Sequence, residues 1–134
     1  MYLLDTNILS ELIKRRPRPR LLDRLRQQPR EGLFSSCICV MELRQGSSLR
    51  PDRQVFWERI NREILGRVTI LDFGLQDALM AGDLLAHLSR RGQLIGLEDL
   101  MIGSAALARN YTIVTANVRH FRRIPDLRIE NWLE

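Results

Sequence analysis

The 134-residue chain has only one lysine, Lys14, only two cysteines and 6% aromatic residues. Each scarcity removes a class of chemistry. A mechanism that needs a catalytic lysine has almost nowhere to sit, and neither GxGxxG nor GxxxxGK[ST] occurs in the chain. A phospho-acceptor receiver domain could use Asp72 as its acid, but it would also need a lysine late in the chain. Cys37 and Cys39 lie two apart in an apolar segment, so they form no disulfide framework and no four-ligand zinc site. They read as small core residues with reduced thiols. Few aromatics argue against binding single strands on stacking platforms. No apolar run approaches the roughly 20 residues of a membrane span. The start, MYLLDTNILSEL, carries Asp5 and Glu11 where a signal peptide has a basic start and an apolar stretch. The expected setting is therefore cytoplasmic, with no membrane partner.

What is abundant is arginine. Of 21 basic residues, 20 are arginines, and the formal net charge is +5. Guanidinium groups bind phosphate and carboxylate in bidentate fashion and stay charged, so an acidic partner is expected. Two clusters stand out. One is the tract Lys14-Arg15-Arg16-Pro17-Arg18-Pro19-Arg20, continuing through Arg24, Arg26 and Arg30; the other is Arg119, Arg122 and Arg123.

Apolar strands alternate with helices along the chain. Strands are expected at Met1–Asp5, Leu33–Ser35, Val68–Asp72 and Tyr111–Thr115, with a short edge strand at Leu127–Ile129. Helices are expected at Ile8–Arg15, Leu21–Gln28, Cys37–Arg44, from Asp52 to Leu65, at Leu75–Arg91 and at Glu98–Arg109. Thr6-Asn7 would supply the first helix with its cap, and Gly46 would stop the third. On the long helix, Leu75, Ala78, Leu79, Gly82, Leu85 and Ala86 follow a helical rhythm, and the small residues among them would let a neighbour approach closely. This alternation predicts an α/β class: one domain over 1–134, a three-layer α/β/α sandwich around a mostly parallel sheet.

Ligands in such folds bind past the carboxyl ends of the strands. Asp5 ends the first strand, followed by Thr6 and Asn7, and could equally serve as a helix N-cap. Glu42 interrupts the apolar run Cys37-Ile38-Cys39-Val40-Met41 with no lysine nearby, and a carboxylate there is costly unless paired or bound to a cation. Asp99, after Glu98, opens a helix with no charge partner before Arg109, although first-turn acids also suit the helix dipole. Asn117 follows the strand that ends at Thr115. Hard oxygen ligands without a cysteine set or a histidine pair select Mg²⁺, or Mn²⁺ in its place, over zinc. Acids gathered in one pit within a basic surface form the pattern of a metal-dependent nuclease.

The blocks LLDTNILSEL, SSCICVMELRQG, GLEDLMIGSAALARN and TIVTANVRHF resemble, in order and spacing, the signature segments of PIN-domain proteins, above all the VapC-type ribonuclease toxins of toxin–antitoxin pairs. The resemblance covers nearly the whole chain. It implies a PIN-like fold and Mg²⁺-dependent endoribonuclease activity on RNA. It matches Asp5, Glu42 and Asp99 to the metal-binding acids and Asn117 to an assisting position. It also implies inhibition by a cognate antitoxin and a homodimer or a hetero-oligomer with that antitoxin. His120 departs from the pattern, standing where many relatives have Asp or Glu. That leaves open one metal or two, a histidine that contacts the scissile phosphate, and a non-catalytic PIN-like module that binds RNA or protein. RNA contacts are expected from Arg15, Arg16, Arg18 and Arg20, and from Arg119, His120 and Arg122. His87 reads as structural.

Overall fold

The computed structural model covers residues 1–134. Five strands form one sheet: β1 (Tyr2–Leu4), β2 (Leu33–Ser36), β3 (Thr69–Leu71), β4 (Thr112–Val114) and β5 (Ile129–Glu130). Their order is β3-β2-β1-β4-β5, and every neighbouring pair is parallel. The expected mostly parallel sheet is thus wholly parallel. Seven helices connect the strands: α1 (Thr6–Leu12), α2 (Pro19–Arg26), α3 (Cys37–Ser48), α4 (Arg53–Glu63), α5 (Leu75–Arg90), α6 (Leu97–Ala108) and α7 (Val118–Phe121).

The strand order dictates the layers. From β1 the chain steps outward to β2 and β3, then returns past β1 to β4 and β5. Right-handed crossovers then require opposite faces for helices before and after β3. The direction of winding reverses between β1 and β4, so a crevice opens there at the carboxyl edge. Leu3, Leu4, Ile113 and Val114 on these two strands are fully buried, as strands covered on both faces must be.

Several local expectations are corrected. Asp5, not Thr6-Asn7, caps α1, accepting from the Thr6 backbone N–H at 2.8 Å. The helix is shorter than Ile8–Arg15, because Glu11, buried, turns the chain by accepting from Lys14 Nζ and from the Arg18 N–H. Gly46 does not stop α3. It lies inside the helix at negative φ with open space about its α-carbon, and the helix ends instead just before Arg50-Pro51, where proline disfavours continuation. Helix α4 begins at Arg53 and ends at Glu63, inside the expected span, and the Asp52 side chain is held by the Arg50 guanidinium through two hydrogen bonds.

The larger correction concerns α5. All six residues of its predicted packing stripe, Leu75, Ala78, Leu79, Gly82, Leu85 and Ala86, face outward and are exposed. Asp77, Ala81, Leu84 and Leu88 are buried in their place. An acid can face inward because Arg109 pairs with Asp77, which also accepts from the Gly74 N–H at 2.8 Å. A helix with two apolar stripes is ambiguous by rhythm alone, and the ion pair decides which one turns in.

Gly103 sets the spacing of α6 and α7. A methyl group there would lie 2.5 Å from Ile124 Cδ1 and 3.4 Å from the Phe121 ring. The absent side chain lets the segment that follows β4 sit directly on α6, which carries Asp99.

Candidate metal and nucleic-acid site

The crevice between β1 and β4 gathers the acids. Register places Leu4 beside Val114, so the next residues, Asp5 and Thr115, emerge side by side. Thr115 Oγ1 donates to Asp5 Oδ2 at 2.8 Å and accepts from the Asn117 N–H at 2.9 Å. Asn7 Nδ2 reaches both Asp5 Oδ2 and Thr115 Oγ1, and its Oδ1 accepts from the Ala116 N–H. Each loop is thereby tied to the other.

Glu42 comes from α3, one and a half turns after the Ser36 cap, whose hydroxyl accepts from the Ile38 N–H. Thr6 Oγ1 donates to Glu42 Oε1 at 2.7 Å. Asp99 enters from the first turn of α6. Asn117 Nδ2 donates to its Oδ2 at 3.1 Å. The same amide lies 2.8 Å from His120 Nδ1, and donation there puts the imidazole proton on Nε2. His120 Nδ1 is also 3.3 Å from Asp99 Oδ2, a contact that becomes a hydrogen bond only when Nδ1 is protonated.

Asp5 is only 3% exposed. Burial raises its carboxyl to about pKa 6; the Thr115 and Thr6 hydrogen bonds oppose the rise, while Asp99 and Glu42 add to it by repulsion. Neither Asp5 nor Glu42 has a basic partner, and Asp99 faces only His120. A cation would offset the repulsion in such a cluster.

Asp5, Glu42 and Cys39 each offer a ligand atom within 4.8 Å of the others. Burial pushes the Cys39 thiol up to about 11, and its Sγ faces the Leu4 carbonyl. Fully buried with its Sγ on a backbone carbonyl, Cys39 has the core role expected of it, and the donors beside it are hard carboxylate oxygens. That donor set fits Mg²⁺ or Mn²⁺.

The structure sets Asp5 and Glu42 within ligand distance of each other, places Asp99 outside that group but near enough to Asp5 to repel it, and joins Asp99 to Asn117 and His120. Around them, Thr6, Asn7 and Thr115 form a bonding scaffold, where spacing alone made Thr6-Asn7 a helix cap and gave Thr115 no role. Its signal was the pair of polar runs Asp5-Thr6-Asn7 and Thr115-Ala116-Asn117, which follow adjacent strands. The two arginine clusters separate. Arg119 precedes His120 on α7, and Arg122 follows at the end of that helix. The tract from Lys14 lies beyond the far end of α1, and part of it is occupied: Lys14 with Glu11, Arg24 with Glu130, Arg26 with Asp23. Arg15, Arg16 and Arg20 are exposed and unpaired, and Arg18 reaches the Leu133 carbonyl.

A parallel α/β domain with a carboxylate cluster at its topological switch point is an architecture of metal-dependent nucleases. The family model named PIN domain matches residues 2–127, and the chain belongs to the PIN-domain family, among its VapC-type members. It is 39% identical over 134 residues to Ribonuclease VapC2 of Haemophilus influenzae, covering 98% of each chain. It is 35% identical over 133 residues to the tRNA(fMet)-specific endonuclease VapC of Salmonella typhimurium, covering 98% of this chain and 97% of that one. Among solved structures, VapBC2 from Rickettsia felis bound to a DNA fragment from its promoter superposes with a TM-score of 0.90 at 33% identity over 98% of both chains.

Proposed function

We propose that the protein is a metal-dependent endoribonuclease and the toxin of a toxin–antitoxin pair. One observation carries this reading: three acids from three separate elements converge on one crevice, and the most buried of them has no basic partner. Names of the relatives add weight, since they are ribonucleases and a tRNA endonuclease, and solved relatives include VapBC complexes. An antitoxin partner and an RNA substrate are inferred here on that basis.

In this reading Asp5, Glu42 and Asp99 hold Mg²⁺ or Mn²⁺. The bound ion supplies charge neutralisation and an activated water for phosphodiester hydrolysis. The chain's own residues set the stage. Thr6 and Thr115 orient the Asp5 carboxylate from two sides. Thr6 also fixes Glu42, so one residue aligns two acids. Asn117 holds Asp99 and shares its amide with His120, which stands half-exposed at the rim, where a phosphate oxygen can reach it. Arginines beside the crevice hold the RNA backbone.

Purified protein incubated with cellular RNA and Mg²⁺ should generate discrete new 5′ ends, read by sequencing, that vanish in EDTA. Asp5→Asn and Asp99→Asn protein should remain folded and leave the RNA uncut. Folded variants that cut as well as the parent would remove the carboxylates from the mechanism. RNA binding and Mn²⁺ uptake without cleavage would instead favour the non-catalytic module.

A further inference from the structure

Four of the arginines line a depression that the carboxylate site does not use. A basin of about 440 Å³ is walled by His87 and Arg91 of the α5 end, Gln93 of the following turn, and Arg119, Arg122 and Arg123 at α7. Pro125 completes it, and no acid lines it. Arg123 is committed to structure, donating to the Leu94 carbonyl at 2.9 Å. Arg91, Arg119 and Arg122 make no ion pair. Guanidinium groups crowded without a counter-charge repel one another, and a bound anion relieves that repulsion while accepting several hydrogen bonds.

Helix α7 joins this basin to the crevice. Its Phe121 is fully buried as an anchor. His120 turns toward Asp99, whereas Arg119 and the adjoining Arg122 turn to the basin. One short segment therefore presents the carboxylate site on one side and fixed positive charge on the other.

Resting on the ribonuclease reading, we infer that the basin is a second RNA subsite. It takes a backbone phosphate next to, but distinct from, the one cleaved, gripped by Arg119 and Arg122 with Arg91 and His87 behind them. The chemistry of the walls favours RNA over a protein partner. Protein interfaces centre on large apolar and aromatic side chains, and apart from Pro125 the basin is walled by basic and polar residues, whereas phosphate contact needs only charge and N–H donors. The subsite fixes the register of the strand across the crevice without reading its bases.

The test is fluorescence anisotropy of a labelled 12-nucleotide single-stranded RNA of mixed sequence, titrated with full-length protein in EDTA over a range of salt. The double variant R119Q/R122Q is compared with R53Q/R62Q, which removes equal charge from α4. Arg123 is left alone because it holds the turn before α6. Each lost phosphate contact lowers the salt slope by about 0.7, and the subsite holds one phosphate, so R119Q/R122Q should lose about 0.7 in slope and on the order of tenfold in affinity. R53Q/R62Q should change far less. Equal losses in both variants, or unchanged binding by R119Q/R122Q, would overturn the subsite. So would retained RNA binding with loss of binding to a polyglutamate peptide, which would make the basin a protein contact. Cleavage in Mg²⁺ separates the two readings. A parent that cuts RNA while the basin variant binds normally leaves the ribonuclease and removes the subsite; a parent that binds through the basin but never cuts does the reverse.

Discussion

Thr115 Oγ1 and Asp5 Oδ2 meet at 2.8 Å across the boundary between β4 and β1, where the sheet changes its direction of winding. That bond joins the two loops of the crevice and partly offsets the cost of burying Asp5. Hydrogen bonds to charged groups contribute about 1.5–3 kcal/mol. Thr115→Val keeps the shape and removes the donor. It should push the Asp5 carboxyl above its present value of about 6 and cost about 2 kcal/mol of stability at pH 8. Urea unfolding at pH 8 and pH 5 checks this, and the loss should be smaller at pH 5, where Asp5 is protonated.

Asp5 itself makes the metal-free protein less stable at neutral pH. Its folded pKa of about 6 exceeds the ordinary 3.8, so the folded state holds the proton more tightly than the unfolded one. This contribution to stability is full below pH 4 and is lost as pH rises through 6. Asp5→Asn should therefore be more stable than the parent above pH 7, by up to about 3 kcal/mol, with the difference shrinking toward pH 4. Saturating Mg²⁺ should stabilise the parent, by about 2.7 kcal/mol at a hundredfold excess over Kd, and leave Asp5→Asn nearly unmoved. Thermal unfolding across pH with and without Mg²⁺ measures both.

The Asp77–Arg109 pair decides which side of α5 faces in. Asp77 is 3% exposed and Arg109 27%. Removing the cation strands a buried carboxylate, which costs about 3–5 kcal/mol in fully buried pairs. Arg109→Ala should lose about 2–4 kcal/mol. Asp77→Asn/Arg109→Ala together should lose less than Arg109→Ala alone, and denaturant titration of the set provides the comparison.

The outward stripe of α5 leaves Leu75 and Leu79 at 73% and 56% exposure. Leu79→Asp should leave the stability of the monomer within about 0.5 kcal/mol. If two copies associate through this stripe, size-exclusion chromatography with light scattering should show the variant shifting toward monomer. An unchanged mass would put any self-association elsewhere.

Much of the site was legible because its acids were misplaced by the ordinary rules: Glu42 in an apolar helix, Asp99 opening a helix without cations, Asp5 at a strand end. The parallel order of the strands followed from their alternation with helices. Other features depend on contacts between distant segments. Nothing in the rhythm of α5 chooses between its two apolar stripes; Arg109, far along the chain, does. Gly46 carried a stop signal that Pro51 delivers instead. As sequence the arginine tract ranked ahead of the Arg119 cluster, yet ion pairs occupy Lys14, Arg24 and Arg26 of the first, while Arg91, just past α5, joins the second.

The central claim is that Asp5, Glu42 and Asp99 act as one cation-holding unit that cuts RNA. The most direct measurement is cleavage of cellular RNA by the parent, Asp5→Asn, Glu42→Gln and Asp99→Asn proteins across a Mg²⁺ titration. Mg²⁺-dependent cutting by the parent, with each folded variant losing at least a hundredfold (about 2.7 kcal/mol of barrier), is the predicted result. Cutting that survives EDTA, or that persists undiminished in any of the three, would contradict it.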